Sequence, residues 1–268
     1  MHISLDSALG REQRLNSLGE SVLQIAPSAA AAYSLRSLTG GDPKVVRVRR
    51  SSDNAESDFT ASGVSSGALV DFVGSGNDGF VDTWYDQSGN GNDAVQATAG
   101  SQPKIVNSGS LLADGLTFDG SDDVLFTSSV ISSTNTAIAC VSKSANNATA
   151  GIFSMLDAPN DGHELLYLAN KIRLATNNDD LNVTATITNQ NFYFANYDGS
   201  TQTLSVNGTV STAASSRTIS VTQDSQIGQR RGGNPLNGSI EELIIYTSDE
   251  SANRVALETN IISYYGIS

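Results

Sequence analysis

The sequence is short of cysteine, histidine and proline, and the shortage of cysteine excludes two kinds of site. Its 268 residues include one Cys, two His and five Pro. A single Cys140 excludes an internal disulfide and a cysteine-based metal site. Because Cys140 lies in the apolar segment 137–141, we expect a buried structural thiol rather than a reactive one.

Positive charge is also scarce. Fifteen Lys and Arg stand against 28 Asp and Glu, which gives a net charge of −13. Such a surface repels phosphate backbones, so we expect no binding of nucleic acid. No secretory signal pattern is visible, and no apolar run approaches the roughly 18 residues of a membrane span. We therefore expect synthesis in the cytoplasm and no membrane insertion.

What the sequence does contain is many short apolar runs separated by turn residues. Gly, Ser, Thr, Asn and Asp are abundant, and Asn207-Gly208 is a strong hairpin signal. Regularly spaced runs of this kind predict an all-β sandwich. The predicted strands are 45–50, 80–85, 104–106, 115–126 (two strands around a turn), 136–142, 151–156, 164–168, 171–175, 182–187, 191–197, 202–206, 225–228 and 238–246.

Three other segments have helical character. Ser65–Val73 predicts a short helix, and Ser251–Tyr265 predicts a C-terminal helix. Residues 1–26 predict an arm with one helix at Asp6–Ser17, ending before Pro27. The arm could pack on its own domain or dock on a neighbouring subunit. The alanine-rich stretch 29–38 fits either a helix or a first strand.

The segment Phe80–Asp93 joins an apolar strand to a polar turn. It carries the only Trp of the chain, Trp84, followed by Tyr85. Exposed aromatic side chains of this kind can form a platform for a sugar ring. We nevertheless expect both to pack in the core, since a strand aromatic before a tight turn usually does. Asp86, Ser88 and Asn90 are expected to bond the backbone of the turn.

Two motifs resemble those of concanavalin A-like and laminin-G-like jelly rolls. They are Phe118–Asp123 and Gly238–Tyr246, followed by a C-terminal segment with Asn260 and Tyr264–Gly266. The resemblance covers most of residues 29–268. It implies a jelly-roll β-sandwich at 27–268, with residues 1–26 as an arm for attachment or oligomerisation.

A narrower resemblance concerns the first third of the chain. Ala32–Arg36, Val46–Ala55 and Trp84–Asn92 are similar to the opening of the α-L-arabinofuranosidase B catalytic domain. The same opening, after a short arm, is typical of bacteriophage virion proteins that carry this jelly roll. The resemblance implies a tail fibre, adhesin or head-decoration protein. Expected partners are other virion proteins, host glycans and sister subunits, with a trimer as the expected oligomer on the particle surface.

Catalysis receives little support from the residues. A retaining glycosidase needs two carboxyl groups about 5–5.5 Å apart. The arabinofuranosidase family places its nucleophile in an N-A-E-T motif near adjacent cysteines, and this sequence has neither. Glu164 is available but lacks that context. We therefore predict no catalytic residue, and an arabinofuranosidase-like hydrolase is the alternative.

Ligand sites are expected at the ends of strands. We predict no cofactor, although the Asp-rich turns 120–123 and 177–180 offer oxygen ligands that Ca²⁺ accepts. His163, beside two acids, could also be an acid–base or metal residue, but solvation in a loop is the plainer interpretation. The candidate carbohydrate-binding residues, chosen for predicted loop positions, are Asp161, His163, Asn178, Asp179, Arg230 and Arg231.

Overall fold

The computed structural model describes residues 19–127, 133–158, 161–177, 179–219 and 221–268. The predicted helix at Asp6–Ser17 and the candidate Asn178 lie outside these ranges. The described helices are α1 (Val22–Ile25), α2 (Ala61–Ser65), α3 (Ala68–Val73) and α4 (Arg254–Tyr265). The described strands are β1 (Ala29–Ser34), β2 (Lys44–Arg50), β3 (Glu56–Thr60), β4 (Gly79–Trp84), β5 (Ala94–Val95), β6 (Lys104–Asn107), β7 (Ser110–Leu111), β8 (Leu116–Asp119), β9 (Leu125–Thr127), β10 (Thr136–Ser144), β11 (Ala150–Ala158), β12 (Asp161–Tyr167), β13 (Lys171–Thr176), β14 (Asp179–Thr184), β15 (Asn191–Tyr197), β16 (Thr201–Val206), β17 (Thr209–Ala214), β18 (Gln226–Ile227), β19 (Gln229–Arg230), β20 (Gly233–Pro235) and β21 (Asn237–Tyr246).

The strands form two antiparallel layers. The back sheet has the order β17-β16-β15-β10-β21-β1. The front sheet has the order β3-β2-β4-β5-β9-β18-β11-β12-β13-β14. Strands β8 and β6 pair with each other and join the layers, β8 through β21 and β6 through β4. The predicted all-β jelly-roll sandwich with a C-terminal helix is confirmed.

The main core lies between the two sheets. Trp84, Phe153 and Leu165 of the front sheet face Tyr193 and Leu243 of the back sheet in one buried cluster. Trp84 is fully buried, as predicted, and its ring lies 5.5 Å from that of Tyr33. Cys140 belongs to the same cluster, and burial raises the pKa of its thiol to about 12. The prediction of a structural thiol is therefore confirmed.

The back sheet is buried on its second face as well. Phe194 and Ile244 point away from the main core, toward Leu257 and Ile261 of α4 and Val22 of α1. A sheet covered on both faces needs apolar residues at successive positions. This explains the continuous apolar character of β15 and β21.

A buried ion pair ties the start of the domain to its end. The Arg36 guanidinium donates to both oxygens of Glu242, at 2.7 and 2.9 Å, and to Asn260 Oδ1 at 3.3 Å. Its carbon lies 4.0 Å from the centre of the Tyr264 ring, and the Tyr265 hydroxyl donates to Glu242. Two motifs far apart in the sequence therefore form one packing unit.

The turn after β4 covers the free edge of β1. Asp86 accepts hydrogen bonds from the backbone N–H groups of Ser88 and Ala32, both at 2.8 Å. Asn90 donates from its side chain to the carbonyl of Ala29 at 2.9 Å. Asp86 and Ser88 bond the backbone of the turn, as predicted, whereas the side chain of Asn90 bonds the carbonyls of β1 instead. The prediction of a core position is wrong for Tyr85, which is half-buried and donates its hydroxyl to Asp58.

Some local expectations are resolved or refined by the structure. The alanine-rich stretch begins with a strand, β1, which is packed on both faces. The predicted helix at Ser65–Val73 is two short helices, α2 and α3, with Gly67 between them. Strands β8 and β9 flank a turn as predicted, but they pair with β21 and β18 rather than with each other. Within the described residues, no helix is long and apolar enough to cross a membrane.

Candidate functional site

One row of residues crosses the whole outer face of the front sheet. The register of each strand pair aligns one residue per strand, and side chains at aligned positions share a face. We call this set the outer row. In order across the sheet, its members are Asp58, Arg47, Thr83, Val95, Phe126, Gln226, Ser154, Glu164, Ala175 and Asp180.

The neighbouring row confirms which face this is. Trp84, Ile227, Phe153, Leu165 and Leu174 are aligned one position further along their strands and lie in the main core. Because side chains alternate between the faces of a strand, the outer row points away from that core.

Glu164 is the most buried acid of the outer row. Its side chain is 2% exposed, and Arg230 Nε donates to Oε2 at 2.8 Å. The Ser154 hydroxyl donates to Oε1 at 3.1 Å. Burial raises the pKa of Glu164 above its usual value, against the opposing effect of Arg230. The carboxylate is thus held by a cation and a hydroxyl rather than by water.

The hairpin β19–β20 covers this part of the face. The backbone N–H of Arg231 donates to Ser154 Oγ at 3.3 Å. A Cβ on Gly151 would lie 2.2 Å from the backbone nitrogen of Arg230, so only glycine allows this close approach of the hairpin to β11. The hairpin therefore positions Arg230 over Glu164.

The second acid of this half of the row is also paired. Asp180 on β14 accepts from Arg173 at 2.7 Å, and Arg173 Nε donates to Asn182 Oδ1 at 2.8 Å. Strand β13, with the small Ala175, lies between Glu164 and Asp180. Two interstrand spacings place their backbones roughly 9.5 Å apart. Arg173, Asp180 and Asn182 reach solvent and present planar polar groups.

The middle of the outer row is apolar. Val95 is 38% exposed, and Phe126 beside it is half-buried. Gln226 follows, and its Oε1 is buried with no hydrogen-bond partner among the described residues. An apolar floor flanked by amide, guanidinium and carboxylate groups suits a ligand with both C–H and hydroxyl surfaces.

The prediction of a loop position for His163 is wrong. His163 lies in β12, is fully buried and faces the core, because its neighbours on the inner face are Leu165 and Tyr167. Its Nδ1 is 3.1 Å from Thr176 Oγ1, and its ring meets that of Tyr197 edge-on. Burial lowers the pKa of His163 to about 3, so the imidazole is neutral at pH 7.

The other predicted binding residues that the structure describes lie in two separate places. Arg230 and Arg231 lie on the hairpin over the outer row, and Arg231 donates to Gln223 and to the carbonyl of Asp224. Asp179 and Asp161 begin β14 and β12 and so are not loop residues. Asp179 accepts from Ser215 and pairs with Arg217 at 3.2 Å.

Two open cavities lie beside the β14–β15 turn and share Ala185 and Thr186. Their volumes are about 380 and 360 Å³. Amide and threonine side chains make up most of their lining, and no Asp or Glu side chain lines either of these two cavities. The amides are Asn147, Asn170, Asn189, Gln190, Asn191 and Asn207.

Three carboxylates meet at the turn after β8. The oxygens of Asp119, Asp122 and Asp123 lie within 4.8 Å of one another. Burial raises the pKa of Asp123 to about 7, and its two acidic neighbours add to the shift. The trio includes Asp122 and Asp123 of the Asp-rich turn named above, and calcium binding there stays a prediction.

Sequence reasoning missed most of the outer row, although a local signal was available. In β13, Arg173 and Ala175 alternate with Ile172 and Leu174. In β14, Asp180 and Asn182 alternate with Leu181 and Val183. This period of two assigns the polar residues of each strand to one face. Which strands stand side by side, and hence the row itself, depends on pairings between distant segments.

The comparisons with known proteins bear on the fold. No protein-family profile matches the sequence, and no curated protein matches it. A crystal structure of arabinofuranosidase complexed with arabinofuranosyl-α-1,2-xylobiose aligns with a TM-score of 0.66 and 14% identity. A GH54 α-L-arabinofuranosidase soaked with a cyclic sulfate inhibitor aligns with a TM-score of 0.65 and 13% identity.

Both alignments cover 88% of this chain and 63% of the other chain, so the protein spans less than two thirds of those enzymes. A binding domain of botulinum neurotoxin DC aligns more weakly, with a TM-score of 0.48 over 66% of the chain. At such low identities the likeness shows the fold alone. The chain therefore shares the jelly-roll sandwich of the arabinofuranosidase structures.

Proposed function

We propose that this protein is a non-enzymatic, carbohydrate-binding jelly roll displayed on the surface of a bacteriophage particle, on its tail or capsid. One observation carries the binding part: both acids at the covered end of the outer row, Glu164 and Asp180, are held in ion pairs with arginines. A carboxylate paired in this way serves as a hydrogen-bonding group more readily than as a nucleophile.

The placement of the two acids supports the same choice. Strand β13 separates the strands that carry them, and each carboxylate is bonded to a different arginine, whereas the two carboxyl groups of a retaining glycosidase flank one glycosidic bond at about 5–5.5 Å. Arg173 and Asn182 beside them offer planar donors and acceptors for sugar hydroxyls. Val95 and Phe126, which lie four or five strands along the row from β13 and so roughly 20 Å from Arg173, offer a surface for the C–H face of a second sugar ring of the same glycan.

A hydrolase remains the second candidate because two observations favour it. The fold is shared with arabinofuranosidases, and the raised pKa of Glu164 is a property of general acids. In this candidate the substrate is an arabinose-containing polysaccharide.

A glycan array tests the binding proposal. Wild-type protein should bind a subset of glycans, and Arg173→Ala should weaken that binding by about tenfold or more, since hydrogen bonds to charged groups contribute about 1.5–3 kcal/mol. Arg50→Ala is the matched control, because Arg50 also forms a surface ion pair, with Asp53. Equal losses in the two variants would contradict a site at the outer row.

Release of sugar separates binding from hydrolysis. The proposal predicts that array ligands and aryl arabinofuranosides remain intact on long incubation with the protein. Release by the wild type that disappears in Glu164→Gln would establish the hydrolase instead.

The virion part rests on the sequence resemblance and on the arm predicted at residues 1–26, through which sister subunits or particle proteins would attach. Helix α1, at the end of that stretch, packs on α4 of the same chain. Mass spectrometry and cryo-EM of purified particles should find the chain on the outside. Its absence from particles would contradict this part alone.

A further inference from the structure

Among the described residues, the sandwich has four edge strands of five or more residues. They differ in whether the backbone groups on their outer side are covered or flanked by charged residues. They are β1, β3, β14 and β17, each paired with one neighbour along its length. An edge strand presents N–H and C=O groups that another strand can bind, so stable proteins cover such edges or place charges on them.

Three of the four edges are protected. The edge of β1 is bonded by the turn that carries Asp86 and Asn90. Strand β3 carries Glu56 and Asp58. Strand β14 begins with Asp179 and Asp180, and its first residue is bonded by side chains of the 215–217 segment.

Strand β17 has none of these protections. Its six residues, Thr209–Ala214, include no charged residue and no proline. Four of the six are exposed, among them Val210, one of the few large apolar side chains of the described surface that reach solvent, at 41%. The only hydrogen bonds that β17 makes with described residues are those to β16.

The hairpin fixes which groups of β17 point outward. Asn207 and Gly208 form a two-residue loop with positive φ, so Val206 and Thr209 are a hydrogen-bonded pair. Bonded pairs then recur at every second residue. The hydrogen bond from Ser215 N to Ser200 O, at 2.8 Å, fits this alternation, because Ser215 lies an even number of residues after Thr209. Hence Val210, Thr212 and Ala214 direct their N–H and C=O groups away from the sheet.

We propose that a second copy of this chain pairs with β17, so that two back sheets join edge to edge around a two-fold axis at Thr212. In this antiparallel register Thr212 faces Thr212 of the partner, and Val210 faces Ala214. Three pairs of outward residues then exchange roughly six hydrogen bonds. The segment is complementary to itself, which a two-fold contact requires.

Charge makes β17 a better place for two copies of this chain to meet than other parts of the surface. Two chains of net charge −13 repel each other, and the repulsion is least where neither contributes charged residues. Contact through one six-residue strand is small compared with the roughly 1,200 Å² of stable interfaces. The association should therefore be reversible and depend on concentration. It is independent of sugar binding and differs from the arm-based trimer expected from the sequence.

Sedimentation velocity and hydrogen exchange of the full chain test the proposal. Between about 10 µM and about 1 mM, where a small interface titrates, the mass should rise from 28.0 kDa toward twice that value. Over the same range the amides of Val210, Thr212 and Ala214 should become protected, while those of Ser211 and Ala213 are already protected by β16. A constant monomer mass, or protection without this alternation, would overturn the proposal.

Two variants locate the contact. Thr212→Pro removes an outward N–H without removing a bond to β16 and should abolish the rise in mass. Val210→Lys places two like charges near the axis and should do the same if the proline variant does not fold. Val255→Lys is the control, because it adds the same charge at an exposed valine on α4. Association that survives both β17 variants, or is lost equally in the control, would overturn the pairing.

Discussion

The two sheets of the sandwich are made of similar strands but serve different purposes. The back sheet is apolar on both faces, since α1 and α4 cover the side that does not face the main core. The front sheet is apolar on its inner face only, and its outer face carries ion pairs, amides and a few exposed apolar residues. The difference teaches that packing occupies both faces of the back sheet, whereas the outer face of the front sheet keeps polar groups and a few apolar ones in reach of solvent.

The same contrast exists within one strand. In β12, His163 points inward and is kept neutral, whereas the adjacent Glu164 points outward and is paired with Arg230. Both are almost fully buried. Burial alone therefore does not distinguish the two side chains. The face of the sheet toward which each one points does.

The largest expected effect compares one phenylalanine from each sheet. Phe194→Ala removes a fully buried ring from the back sheet and should lower the free energy of unfolding by about 3–5 kcal/mol. Phe126→Ala removes a half-buried ring from the outer row and should cost about 1 kcal/mol. Denaturant unfolding of both variants measures the difference, and equal losses would contradict the assignment of the two faces.

The next effect is a pH dependence of the free energy of unfolding, which comes from His163 on the inner face of the front sheet. His163 has a pKa near 3 in the folded state and about 6.5 when unfolded. Between these values the unfolded chain binds more protons, so stability falls as the pH falls. His163→Gln cannot titrate, and its stability deficit relative to wild type should shrink by about 3 kcal/mol between pH 7 and pH 4.

The difference in stability between wild type and His163→Gln isolates the contribution of the His163 imidazole. Glu164 and Asp123, whose pKa values are raised, give the opposite slope, but they are present in both proteins and cancel. A deficit that stays constant with pH, measured by denaturant unfolding at each pH, would show that the imidazole is protonated in the folded protein or exposed to water.

A smaller effect concerns the ion pair on the outer face. Glu164→Gln removes the carboxylate charge that Arg230 bonds and should destabilise the protein by about 2 kcal/mol, less than the loss of a fully buried pair because Arg230 is partly exposed. Glu164→Gln combined with Arg230→Met should recover part of the loss. Asp53→Asn in the exposed Arg50 pair should cost measurably less. A double variant no more stable than the single one would argue against this pair.

The sequence predicts the back sheet better than the front one. The apolar run 191–197 and the final strand are readable from the residues alone, because burial on both faces leaves no ambiguity. The position of His163 was not readable, since Gly162–Tyr167 has no polar alternation that distinguishes the two faces. The outer row depends on Phe126 standing beside Gln226, a pairing between distant segments that no local pattern encodes.

The most direct test of sugar binding at the outer face of the front sheet is an NMR titration with the glycan that binds most strongly on the array. Binding there should shift the resonances of Val95, Phe126, Arg173 and Asn182, leave those of the back sheet unchanged, and return the glycan intact. Shifts confined to the amide-lined cavities beside the β14–β15 turn, or the appearance of free sugar during the titration, would contradict it.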